Sequence, residues 1–355
     1  MRKLTNTTVL GIVFLAISTL FISCNNKKKV NSTTTPIAIS EKQNAVPTYR
    51  EPLVFITGNN NSDFYKKAKS HFEEKQFEVI TEAFSLQEII IWLNANFDER
   101  LYSDIHIVSK NNPWKGMSLE TTANGNHLTS GNLSSELAYG NIPKLDEVIT
   151  TDTNVIFHSS ALSQNSALIQ TIKTALTSNV SPNIITSPHY NIFGGDFSDH
   201  YLAKPYYGFY PTAKSPGKTD LSKEFAKNYP HEKEIDWYTA LNNEKERFIG
   251  DAYTIQFNIP LKWEFEYTGD EEVPYFENQD EIIAWVVENE EILHQIEGMN
   301  IPLKKFRWNS VTKNDKLVVK AITTVLCVLK PIIKPYGDLQ HIEPEIDNLR
   351  LYNKN

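Results

Sequence analysis

Between Leu53 and Thr186 the chain alternates short apolar runs with amphipathic stretches. Leu53-Val54-Phe55-Ile56-Thr57-Gly58 reads as a buried strand, and Asn59-Asn60-Asn61-Ser62 as the turn and cap of a helix. Apolar positions at Phe64, Ala68 and Phe72 mark that helix, and Phe77-Glu78-Val79-Ile80 a second strand. Ser85 with Glu88 makes a capping box for a helix whose inner face is Leu86, Ile89, Ile90 and Leu93. Ile105-His106-Ile107-Val108 and Val155-Ile156-Phe157 give the third and fourth strands. A helix predicted over Ser163 to Ser178 leads to a fifth, Asn183-Ile184-Ile185-Thr186. Alternation of this kind predicts an α/β fold: an open, mainly parallel sheet with helices on both faces, joined by right-handed crossovers.

The second half follows another period and predicts a mixed α+β region. Tyr253, Ile255, Phe257 and Ile259 alternate with polar residues, and Leu261, Trp263, Phe265 and Tyr267 continue the alternation past Pro260, the pattern of a half-buried antiparallel element. Asp280 to Ile296 reads as one acidic amphipathic helix. Phe306-Arg307-Trp308, Lys316 to Val319 and Thr323 to Leu329 read as further strands, with a turn at Asn314-Asp315. Asp199 to Tyr229, rich in Pro, Gly and Tyr, reads as a long connection.

The first 50 residues change the picture. Arg2 and Lys3 precede an apolar stretch, Val9 to Ile22, too short to span a bilayer, which takes about 20 residues. Phe21-Ile22-Ser23-Cys24 follows and resembles the lipobox of bacterial lipoproteins. That resemblance implies a signal peptide over 1–23, acylation of Cys24 and a lipid anchor. Asn25 after the cysteine favours the outer membrane of the envelope. Asn25 to Arg50 is polar and aperiodic and is expected to be a flexible tether over 24–50. An α/β domain is then expected over 51–200 and an α+β region over 201–355.

A net charge of −8, with no basic face evident, excludes a nucleic-acid partner. Two cysteines, Cys24 and Cys327, exclude a disulfide framework, and Cys327 lies in an apolar run as an inert thiol. No cofactor motif is present. His189, Asp196, Asp199 and His200 carry ligating atoms, but their spacing fits no metal motif, so no metal is expected. His106 and His158 sit within apolar strands as core histidines.

Ligands of open parallel sheets sit beyond the carboxyl ends of the strands, where Gly58, Lys110 and Ser160 fall. Asp104 to Asn111 ends on Lys110 with Asn111 beside it, and the strand from Asn154 ends on Ser159 and Ser160. Val108-Ser109-Lys110-Asn111 and His158-Ser159-Ser160-Ala161 resemble the two catalytic blocks of the caspase-like superfamily of cysteine peptidases, including the CHAT domains. There the third strand ends in His-Gly and the fourth in a small residue before the nucleophilic cysteine. The resemblance covers roughly Leu53 to Phe193 and implies a caspase-like fold. Both catalytic positions depart from it: Lys110-Asn111 replaces His-Gly, and Ser160 replaces the cysteine.

Two chemistries fit these positions. In one, Ser160 is a nucleophile and Lys110, desolvated and neutral, its base. In the other, the site has lost hydrolysis, and Gly58, Asn111, Trp114 and Ser159 line a crevice that binds an envelope protein or peptide. A solute- or glycan-binding lipoprotein is the third class. The degenerate, binding reading is the expectation, with backbone N–H groups of the helix near Ser163 offered to Ser160 and the Asn111–Thr153 connection as one wall.

Overall fold

Alternation inside one short strand sets the two layers of the first half. Leu53 and Phe55 join one core with Leu86, Ile89 and Ile90, whereas Val54 and Ile56 join another with Tyr65, Ala68 and Phe72. The computed structural model describes residues 48–58, 61–211, 216–268, 272–335 and 339–355. The expected signal peptide, Cys24 and the tether up to residue 47 lie outside them. Arg50, placed in the tether by sequence, belongs to the folded body: its guanidinium meets Glu78 at 2.7 Å and its N–H donates to the Leu101 carbonyl at 2.9 Å.

In chain order the first half runs β1 (Leu53–Ile56), α1 (Asp63–Glu74), β2 (Glu78–Ile80), α2 (Leu86–Ala95), β3 (Asp104–Val108), β4 (Asn111–Asn112), β5 (Gly116–Glu120), β6 (His127–Leu128), α3 (Ser130–Ala138), β7 (Asn154–His158), α4 (Ser166–Leu176) and β8 (Asn183–Thr186). The second half runs β9 (Tyr190–Phe193), β10 (His200–Tyr210), α5 (Lys218–Asn228), α6 (Trp237–Asn242), β11 (Tyr253–Glu266), α7 (Gln279–Glu288), α8 (Glu290–Glu297), β12 (Arg307–Lys313), β13 (Lys316–Pro331) and β14 (Asn353–Lys354).

Among the described residues a six-stranded sheet has the order β14-β8-β7-β3-β1-β2. It is parallel except for β14, which returns antiparallel to β8. Helix α1 covers one face, and α2, α3 and α4 pack on the other. A curled antiparallel sheet takes the order β11-β13-β10-β9, with β12 also on β13. A small sheet, β4-β5-β6, grows out of the connection after β3. Both large sheets lie within one unit, Pro47–Asn355.

Four sequence expectations are corrected. The long connection Asp199–Tyr229 holds an eleven-residue strand, β10, and helix α5. The Pro and Gly that suggested a loop are tolerated for local reasons. Beyond Ala203, among the described residues, β10 pairs only with β13. The Tyr207 N–H turns away from β13 to the Tyr229 hydroxyl at 2.8 Å, so the Pro205 nitrogen, two residues before it, faces the same unpaired edge. Gly208 leaves room for the Phe225 ring, which a Cβ would meet at 2.5 Å.

The helix expected from Ser163 starts at Ser166, because the Asn165 side chain caps it by accepting from the Leu168 N–H at 3.0 Å; one tight turn, Leu162–Gln164, precedes it. The single acidic helix Asp280–Ile296 is two, because extended Asn289 ends α7 and caps α8 at the Ile292 N–H. The two strands expected over 316–329 are one continuous strand, and Lys320 between them stands on its solvent face. The turn at Asn314-Asp315 stands, both residues taking positive φ (51° and 58°), the conformation of a tight hairpin.

Candidate functional site: a crevice beyond β3 and β7

β3 and β7 are neighbours in parallel register, Val108 opposite His158, so the segments ending on Lys110 and Ser160 leave the sheet side by side. β1 flanks β3 on the other side, with Ile56 opposite Val108. The carboxyl rim therefore carries Gly58, Lys110 and Ser160 in that order.

Each residue then takes its own direction. Gly58 lies under the Tyr65 ring, where a Cβ would fall 1.9 Å from a ring carbon. With Tyr65, Thr57 and Glu120 it lines a cleft of about 460 Å³ on the β1 side. The backbone N–H of Lys110 donates to the Tyr65 hydroxyl at 3.1 Å. Its exposed ammonium donates to Ser62 Oγ at 2.7 Å, at the start of α1, and stands 5.6 and 5.8 Å from the Tyr65 and Phe64 ring centres. Lys110 Nζ and Ser160 Oγ share no hydrogen bond.

Asn111 turns the opposite way and donates from Nδ2 to the Ser160 carbonyl at 2.7 Å. Ser159 is fully buried, and its hydroxyl has no partner among the described residues. Ala161, after Ser160, adopts the left-handed region (φ 55°, ψ 22°), a conformation that costs a non-glycine residue about 1 kcal/mol. Packing with Tyr190 and Tyr201 accompanies it.

The backbone donors expected near Ser160 are already used. The Ala161 N–H donates to the His189 carbonyl at 2.9 Å, Leu162 to Ser159 at 3.4 Å and Ser163 to Ser187 at 3.3 Å. The expected oxyanion arrangement is therefore not formed by these groups, since a tight turn and the β8–β9 link stand where a regular helix start was foreseen.

A crevice of about 300 Å³ opens on the Asn111 side of the rim. Residues 111–114 and Gly116 form one wall, as the connection was expected to, and residues 161 and 164–167 form another. Tyr207 and Phe209 of β10 and the turn 298–300 close it. Trp114 ties these pieces together: its indole N–H donates to the Met299 carbonyl at 3.2 Å, and its ring meets Tyr207 edge-on at 5.2 Å. Asn111 and Trp114 thus line this crevice, whereas Gly58 belongs to the cleft beyond Lys110. Gln164, Asn165, Tyr207, Phe209 and Asn300 were not foreseen; the first two follow the unexpected turn after β7, and the other three come from the second half, which only its docking brings to the rim.

The histidines form a separate feature. His106 and His158 are buried and joined, Nδ1 to Nε2, at 2.8 Å. His200 lies with its ring 5.6 Å from His158, and His71 5.1 Å from His200. Burial holds His158 and His200 well below the ordinary imidazole range, and takes His106 to about 3. Burial, followed by the charge of Lys75 and opposed by Asp199, takes His71 to about 4. Of the ligating atoms considered in the sequence, His189 Nε2 stands 3.4 Å from the Arg350 carbonyl and Asp196 pairs with Lys245 at 2.9 Å. Among the described residues no group of three or more His, Cys, Asp or Glu is arranged to hold a metal ion. Cys327 is fully buried, and that burial pushes its thiol far above the usual range.

Comparison with protein-family models, with curated proteins and with solved structures finds no match.

Proposed function

We propose that the chain is an envelope lipoprotein whose caspase-like α/β layer has lost hydrolysis and serves binding or scaffolding, with its ligand held in the crevice beyond β3 and β7. The observation that carries the reading is the commitment of the Lys110 ammonium to Ser62, on the side of the rim away from Asn111 and Ser160. A serine nucleophile needs a base within hydrogen-bond reach, and the Ser160 hydroxyl makes no hydrogen bond among the described residues. A neutral, desolvated lysine is the other requirement, and Lys110 is exposed. The three N–H groups after Ser160, which could have steadied an oxyanion, are taken by chain carbonyls. What remains at the rim is a concave, uncharged surface suited to holding a molecule.

A serine-directed fluorophosphonate tests the loss of hydrolysis. The expected result is no adduct on Ser160. A stoichiometric adduct that disappears in Ser160→Ala would overturn the reading in favour of a Ser/Lys peptidase-type hydrolase on the same sheet. The anchor is tested separately: palmitate incorporation in a bacterial host should vanish in Cys24→Ala, and unchanged incorporation removes the lipoprotein assignment and its outer-membrane placement.

A further inference from the structure

Five carboxamides line the crevice, Asn111, Asn112, Gln164, Asn165 and Asn300, and the first four each have one end fixed by the backbone. Asn111 donates from Nδ2 to the Ser160 carbonyl at 2.7 Å, and Gln164 from Nε2 to the Pro188 carbonyl at 3.3 Å. Asn112 accepts at Oδ1 from the Trp114 N–H, and Asn165 at Oδ1 from the Leu168 N–H, both at 3.0 Å. A backbone carbonyl can only accept and a backbone N–H only donate, so the orientation of these four amides is settled. The opposite ends, Asn111 Oδ1, Gln164 Oε1, Asn112 Nδ2 and Asn165 Nδ2, have no partner among the described residues. Two acceptors and two donors are thus held in place without internal use. Among the described residues no Asp, Glu, Lys, Arg or His lines the crevice, while Trp114, Tyr207 and Phe209 supply an aromatic wall.

We infer that the crevice takes a neutral saccharide, a mono- or disaccharide unit of a glycan. Hydroxyl groups both donate and accept, so a row of them satisfies fixed donors and fixed acceptors alike. The apolar C–H face of a sugar ring suits the aromatic wall. A charged ligand would be desolvated without a counter-charge, a large cost. An extended peptide would need a free strand edge: β4 is two residues long, and on the unpaired edge of β10 the Tyr229 hydroxyl already holds the Tyr207 N–H and carbonyl. The volume, about 300 Å³, stands at the lower end of small-molecule sites. The saccharide assignment rests on the binding reading above. It adds the ligand class.

The test uses the full chain and three neutral disaccharides (N,N′-diacetylchitobiose, cellobiose and maltose), with acetyl-trialanine amide as a peptide probe. Binding is read by saturation-transfer NMR and tryptophan fluorescence, with Trp114→Phe identifying the reporting indole. At least one disaccharide should bind. Asn112→Asp and Asn165→Asp keep the acceptor that fixes each side chain and delete its free donor. Both should weaken binding at least tenfold while thermal unfolding stays unchanged. Disaccharide binding that ignores both substitutions overturns the assignment. Peptide binding reported by Trp114, without disaccharide binding, overturns the saccharide class but leaves the crevice as a binding site. No response to any probe overturns both.

Discussion

At the scale of single residues, one hydroxyl does the work of a missing strand. Among the described residues no strand neighbours β10 beyond Ala203 on the side away from β13, so its backbone groups there need other partners. The Tyr229 hydroxyl accepts from the Tyr207 N–H at 2.8 Å and donates to the Tyr207 carbonyl at 3.0 Å. Tyr207 in turn lines the crevice and carries Trp114 on its ring. Tyr229→Phe keeps the ring and strands both backbone groups. It should destabilise the protein by about 1–3 kcal/mol. Urea unfolding would show this as a lower midpoint at constant slope; an unmoved midpoint would mean that water replaces the hydroxyl without loss. Gly58 illustrates the opposite case, in which absence of a side chain is the requirement, because the Tyr65 ring fills the space.

At the scale of elements, the strands of the parallel sheet were legible because each is a short apolar run bounded by turn residues. Their pairing follows from strand–helix alternation. Element ends were less legible, and the reason is the same at each. Asn165 and Asn289 restart a helix through a side-chain acceptor, and in sequence a cap inside an amphipathic stretch looks like one more polar position. β10 was missed because Pro205 and Gly208 are poor strand residues in isolation. Their acceptance depends on an unpaired edge and on the Phe225 ring, both supplied by elements further along the chain. Trp114 was picked out as part of a wall, but the aromatic partners that make it one, Tyr207 and Phe209, lay in that missed strand.

At the scale of the whole molecule, four imidazoles are gathered where the parallel sheet, α1 and the antiparallel sheet meet. His106 and His158 come from β3 and β7, His71 from α1 and His200 from β10. Lys75 at the end of α1 and Asp199 before β10 are the charges that act on them, and Asn191 Oδ1 of β9 accepts from His200 Nε2 at 3.2 Å. All four titrate below the unfolded value of about 6.5. The unfolded chain therefore binds more protons than the folded one in the window below that value. Stability is full above about pH 6.5 and falls as the pH drops towards the folded values, about 4 for His71 and about 3 for His106. Each of the three buried imidazoles adds about 1.4 kcal/mol per pH unit to that slope. Urea unfolding between pH 7 and 5 measures it, and His106→Gln should reduce the slope by about one proton. A flat profile over that range would show that the cluster charges as readily in the fold as outside it.

The amino-acid pattern alone determined the parallel layer, the helices that cover it and the rim on which Lys110 and Ser160 stand. Each of these depends on local periodicity and on the fixed hand of the crossovers. Tertiary structure alone decided that the Lys110 ammonium turns to Ser62 while Asn111 turns to Ser160, and that Tyr207, Phe209 and Asn300 close a crevice around Asn111 and Trp114. Side-chain direction at a strand end and contact between segments almost 200 residues apart depend on how whole layers dock. No local pattern encodes that.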